Sequence, residues 1–190
     1  TISFKSDNSL LETGGKGCVV SDMAEFVDSL HKKNIYAIAR ITVFQDPYYT
    51  NKRPDMAIKK ASDKTIWKDR KGLSFIDVGA KEYWDYIVAL AEESYTKIGF
   101  DELNFDYIRF PSDGDMKNIY YTFSNGRKKA DVLKDFFSYL HDKLEGTGVI
   151  MSADLFGMTT TNKDDLNIGQ ILEYAEPYFD YIAPMVYPSH

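Results

Sequence analysis

The chain has 190 residues, 44% of them hydrophobic and 27% charged, which is the composition of one ordinary globular domain with room for a sizeable core. A net charge of -6 argues against nucleic acid as the main partner, because phosphate binding needs a clustered basic face. The single Cys18 excludes an internal disulfide, and no run of about 18 apolar residues offers a membrane span.

Taken in order, residues 1–4 read as the tail of a strand. Residues 10–17 form a loop broken by Gly14, Gly15 and Gly17. Ser21 is placed to cap a helix in which Met23, Phe26, Val27 and Leu30 recur at helical spacing. Residues 35–41 then read as a buried parallel strand, apolar throughout until Arg40 near its C-terminal end. A long irregular segment follows at 43–80, holding Tyr48 and Trp67, with a short helix expected near 54–60. A connection of that length in a compact domain is usually functional, so it is expected to fold over the cleft and bring Trp67 or Tyr48 to it.

Residues 81–97 form a strong amphipathic helix ended by Gly99, and a strand starts at once. Over 102–107 two sets alternate: Glu102, Asn104 and Asp106 on one side, Leu103, Phe105 and Tyr107 on the other. Pro111 stops any continuation. A polar loop at 112–127, a helix at 128–144, a strand at 149–156, a short helix at 166–174 and a last strand at 181–187 complete the pattern. Strands alternating with helices imply parallel strands joined by crossovers. Arg40, Asp106, Asp154 and Tyr187 each close one strand and each share parity with the residues two and four positions before them. Polar members of that parity, such as Asn104 and Ser152, suit a barrel interior better than a doubly wound sheet covered on both faces.

The chemistry this suggests is carboxylate chemistry. On neighbouring strands about 4.8 Å apart, Asp106 and Asp154 come within about 5–7 Å, close to the separation of a glycosidase pair. Arg40 on the preceding strand favours the ionised form of Asp106, which leaves Asp154 the better proton holder. A structural Arg–Asp network across a barrel mouth is the alternative. Trp67, Tyr48 and Tyr187 at strand ends offer flat faces suited to sugars, and Arg40, Arg109 and Asn104 join them as candidate substrate-binding residues; each aromatic taken singly also fits loop packing. His31, His141 and His190 show no metal-ligand spacing, and no glycine-rich phosphate cradle is present, so neither metal nor cofactor is expected.

The segment 99–114, Gly-Phe-Asp-Glu-Leu-Asn-Phe-Asp-Tyr-Ile-Arg-Phe-Pro-Ser-Asp-Gly, resembles a bacterial family of glycoside hydrolase domains grouped with the TIM-barrel glycosidases. The resemblance takes in 35–47, 84–86 and 181–190, and so nearly the whole chain. It implies an α/β fold of the (β/α)8 TIM-barrel type and a polysaccharide substrate, with the cell wall or envelope as its setting, in a secreted or surface protein. The motif is also similar to chitinase-like barrels, in which an acidic residue follows two positions after the aspartate equivalent to Asp106. Ile108 stands there in this chain, so substrate-assisted chemistry is not implied. A complete barrel needs roughly 250 residues, so residues 1–190 are expected to be a single domain cut at both ends, with about five of the strands. Exposed sheet edges then predict self-association. A non-catalytic carbohydrate-binding barrel is the alternative function, and a barrel aldolase or isomerase a third, though the phosphate site such enzymes carry after their last two strands has no counterpart here.

Overall fold

The computed structural model describes residues 4–13, 20 and 22–187. Among these residues are five α-helices, α1 Met23–His31, α2 Pro47–Lys52, α3 Lys81–Thr96, α4 Lys129–Leu144 and α5 Leu172–Ala175, interspersed with strands β1 Ile38–Thr42, β2 Lys59–Lys60, β3 Glu102–Asp106, β4 Ile119–Tyr120, β5 Ile150–Phe156 and β6 Tyr181–Met185. Strands β1, β3, β5 and β6 form a four-stranded sheet in that order, every neighbouring pair parallel. β2 and β4 make a small antiparallel ribbon between two loops.

The two faces of the main sheet are built differently. Leu103, Phe105, Met151, Ala153 and Leu155 are fully or almost fully buried, and they pack against Trp84 and Ile87 of α3 and Leu133, Phe136 and Phe137 of α4. Each of the leucine, phenylalanine and methionine side chains contributes about 1.5–3 kcal/mol by leaving water, Ala153 less. α3 and α4 lock together through rings: Trp84 meets Phe136 at 5.7 Å and Tyr139 at 5.4 Å between centroids. The other face carries Ile38, Arg40, Glu102, Asn104, Asp106, Ser152, Asp154, Tyr181 and Ala183. It is lined by polar groups in the middle and open along both flanks, where Ile38 is 50% and Tyr181 58% exposed.

Several expectations are corrected. The main sheet has four strands among the described residues. The expected fifth, at 1–4, lies outside them except for Phe4, which sits in a bend and is buried in the core. The first helix is capped by Asp22, whose carboxylate accepts from the Glu25 amide at 3.0 Å; Ser21 lies outside the described residues. β1 starts at Ile38, because Asn34 turns the chain with φ 58° and Asp101 takes the Ala37 amide at 2.7 Å. The short helix expected near 54–60 is confined to a 3-10 turn at Pro54–Met56, opened by Pro54, and a helix not foreseen precedes it at Pro47–Lys52, with Pro47 in its first turn and Asp46 accepting from the Tyr49 amide at 2.9 Å. The expected helix at 166–174 shrinks to α5, since Leu166 and Asn167 adopt φ 51° and 56° and cannot continue a right-handed turn.

Candidate functional site

β3 brings the site together. Asn104 pairs in register with Arg40 of β1 and with Ser152 of β5, and Thr42 pairs with Asp106. Side chains alternate along a strand, so Arg40, Asn104, Asp106, Ser152 and Asp154 all project from the open face. Phe105 pairs with Ala153, which leaves Asp106 and Asp154, the next residues of each strand, side by side at the C-terminal rim. That end of the strands is where α/β barrels build their sites.

Asp106 is 5% exposed and forms an ion pair with Arg40, whose own side chain is 59% exposed. The second carboxylate oxygen accepts from the Tyr107 amide at 2.6 Å. Tyr107 then leaves the strand in the left-handed region, φ 52°, a costly conformation for a residue with a bulky side chain. The chain reverses there because the Tyr107 carbonyl accepts from the Phe44 amide at 3.2 Å and the Asp106 carbonyl from the Val43 amide at 2.9 Å. β1 thus holds the turn in place.

Asp154 stands in a different environment. Burial pushes its carboxyl above the usual range; a hydrogen bond from Asn104 works against that, the Asp106 charge adds to it and the Arg40 charge opposes it. Asn104 Nδ2 donates to Asp154 Oδ1 at 3.1 Å and to Ser152 Oγ at 3.2 Å. Ser152 donates to Glu102 at 2.5 Å, and Tyr36 donates to the other Glu102 oxygen at 3.2 Å. A chain of hydrogen bonds therefore runs up the open face, from Glu102 at one end to Asp154 at the other. Two carboxylates meet at the rim: one clamped by a guanidinium, the other half-buried and biased toward holding a proton. This is the arrangement that general acid chemistry needs beside an electrostatic stabiliser.

A cleft of about 390 Å³ opens beside Asp106, lined by Arg40, Asp106, Tyr107, Arg109, Phe156 and Tyr187, with Gly157, Met158 and Met185 completing its wall; Asp154, on the adjoining strand, is not among the lining residues. Arg40, Arg109 and Tyr187 are thus brought together with Asp106, and Asn104 with Asp154. Two expected members are not. Trp67 is 2% exposed, packed with Ile58 and Phe75 in a separate small core, its indole donating to the Asp115 carbonyl at 3.0 Å. Its role is to pin the loop at 43–80 onto the loop after β3, and it cannot present a face to a sugar. Tyr48 lines a different depression, with Gln45 and Asp46, away from the cleft. Tyr49 and Phe110 are likewise core residues. A smaller cavity of about 210 Å³ follows the free edge of β1. Its carboxylate, Asp46, is consumed in capping α2 and accepting from Tyr83 at 3.2 Å.

Sequence reasoning missed Tyr107 and Phe156. Phe156 continues the parity of Ser152 and Asp154 and could have been read from it. Tyr107 could not, since alternation assigns it to the helix-covered face and only the left-handed turn brings it to the cleft. Among the described residues no group of three or more His, Cys, Asp and Glu is arranged to hold a metal, and no helix is long and apolar enough to cross a membrane.

A hypothetical protein from Ruminiclostridium thermocellum ATCC 27405 is 28% identical and superposes with a TM-score of 0.70 over 87% of this chain and 77% of its own. A noncanonic maltogenic alpha-amylase from Thermotoga neapolitana, 14% identical, gives 0.51 over 84% of this chain and 30% of its own. A Group II chitinase catalytic domain from Ostrinia furnacalis, also 14% identical, gives 0.50 over 86% and 35%. The chain thus spans about a third of the amylase and chitinase chains, and what it shares with them is the fold: an α/β arc of the TIM-barrel type, as the β/α alternation leads one to expect. No curated protein is similar to the chain in sequence. The model of one family, described as "Putative glycosyl hydrolase domain", matches residues 1–190, and the chain belongs to that family.

Proposed function

We propose that this domain hydrolyses glycosidic bonds of a polysaccharide by carboxylate acid/base chemistry, with Asp154 as the general acid and Asp106 as the ionised partner. The observation that carries this reading is the division of labour at the rim: burial raises the affinity of Asp154 for its proton, while Arg40 pairs with Asp106. In the reaction, Asp154 would give its proton to the leaving-group oxygen. Asp106 would face the positive charge that develops on the sugar ring, or attack it. Arg40 is positioned to hold the Asp106 carboxylate in place, and Asn104 to aim the Asp154 carboxyl. Bacterial cell wall or envelope glycans, met by a secreted or surface-attached protein, are the substrate setting that the family suggests.

One observation favours a second reading, a carbohydrate-binding barrel without turnover. Asp106 is almost closed to solvent and both its oxygens are engaged. The two readings separate in one experiment. A panel of bacterial polysaccharides is incubated with the protein, with Asp106→Asn and with Asp154→Asn, and reducing ends and melting temperature are followed together. Hydrolysis is expected, with both variants losing it by orders of magnitude while melting near the parent. Binding without new reducing ends supports the second reading; activity retained in both variants removes the pair from the chemistry.

A further inference from the structure

Arg109 sits in the cleft wall with no carboxylate paired to it among the described residues. Its guanidinium carbon lies 5.0 Å from the Phe156 ring centre, 5.1 Å from Tyr107 and 5.9 Å from Phe75, so three aromatic rings surround it. Cation–π attraction holds the cation there. Nη1 donates to the Phe110 carbonyl at 3.1 Å and to Ser112 Oγ at 3.2 Å. Among the described residues nothing accepts from Nε or Nη2, and no carboxylate forms an ion pair with the side chain. Burial works against its charge; Tyr107, Asp106, Asp113 and Asp69 work for it at longer range. Those acids are committed elsewhere. Asp106 pairs with Arg40, Asp69 accepts from the Lys71 and Leu73 amides and from Gln45, and Asp113 accepts from the Arg70 amide.

A guanidinium taken largely out of water without a counter-ion is costly unless something charged arrives to meet it. Nε and Nη2 form the side-on fork of arginine, whose spacing matches two oxygens of a carboxylate or phosphate. We propose that Arg109 is the receptor for an anionic group carried on the sugar, carboxylate or phosphate, so that the cleft takes an acidic glycan rather than a neutral one. This names a substrate class for the site proposed above and rests on the reading that the cleft holds a glycan, but it does not require that a bond be broken there. Phe156 and Tyr107 would lie against the apolar face of the same sugar unit. The clamped Arg40–Asp106 pair adds little net charge beside it.

Calorimetry with three oligosaccharides of equal length tests the inference: one containing glucuronate, its carboxyl-reduced neutral counterpart, and the neutral chain bearing a phosphate ester. At low salt an anionic chain should bind about tenfold or more tighter than the neutral one, and added salt should erode the difference. Which of the two anions gains more identifies the group. Arg109→Gln should abolish the preference, and Arg109→Lys, which keeps the charge without the fork, should retain part of it. The parent protein alone can overturn the inference: equal affinities, a neutral preference, or no binding of any of the three would do so. A preference that survives in a folded Arg109→Gln protein would do so as well. Failure of hydrolysis in the polysaccharide panel would leave this binding preference standing, so the two results are distinguishable.

Discussion

The helix-covered and open faces of the one sheet alternate residue by residue along β3 and β5, yet they do opposite work. Phe105 points into the rings of the core, meeting Phe179 at 6.2 Å, while Asp106, the next residue, points at Arg40. Leu155 is wholly buried, and Asp154 before it is half-buried and bonded to Asn104. The covered face is closed and apolar, so its energy is spent on stability. The open face strings polar groups along its middle, several of them buried, and such groups are costly to desolvate unless bonded. Their hydrogen bonds, from Glu102 through Ser152 and Asn104 to Asp154, are what lets that face persist. The difference teaches that fold and chemistry can be perturbed separately in this domain.

The largest effect should come from breaking the open face. Asp154→Asn is expected to lower turnover by about 10²–10⁴-fold, the range for losing a general acid. The melting temperature at pH 7 should stay at or above the parent's. The sign follows from the raised folded-state pKa. The proton binds more tightly in the folded chain than in the unfolded one, so Asp154 contributes stability below the unfolded value of 3.8 and loses it as pH rises through the folded value. At neutral pH the parent carries that cost and the asparagine does not. Thermal melts of both proteins at pH 7 and at pH 4 check it, the advantage of the variant shrinking at the lower pH.

The complementary break is Phe105→Ala, which should cost about 3–5 kcal/mol by leaving a cavity in the core. Urea unfolding measures it, and activity per folded molecule should change little. Trp67→Ala belongs in the same class. It should cost stability and loosen the loop at 43–80, with no direct loss of sugar contact.

A smaller effect on stability is expected from the ion pair at the edge of the open face. Arg40→Gln leaves the Asp106 carboxylate buried without its partner, but the guanidinium is more than half exposed, so solvent screens much of the interaction. A loss of about 1–2 kcal/mol in urea unfolding is expected, well short of the several kcal/mol of a fully buried pair.

How much of this was legible beforehand divides along the same line. The parity of Asp106 with Asn104 and of Asp154 with Ser152 follows from a period of two, and the placing of Arg40 on a neighbouring parallel strand follows from the β/α alternation; both are written in the residues. The loops were not legible. Trp67 and Tyr187 look alike as rim aromatics, but Trp67 is sealed against Phe75 at 6.4 Å and Tyr187 is 77% exposed. Only long-range packing separates them. Tyr107 was misplaced because alternation was carried one residue too far, past the point where the amides of Phe44 and Val43 take hold of the turn. Left-handed residues such as Leu166 carry no signal in a helical pattern, so the helix before β6 was overestimated.

Titration of the Asp154 side-chain carboxyl by carbon-detected NMR, in the parent and in Asn104→Leu, most directly tests the claim that this residue is the proton holder of the pair. The parent carboxyl should titrate above 3.8, and the variant higher still, because the Asn104 amide that favours the ionised form is gone while burial and the Asp106 charge remain. A value at or below 3.8 in the parent, or a downward move in the variant, would contradict the assignment of Asp154 as the acid.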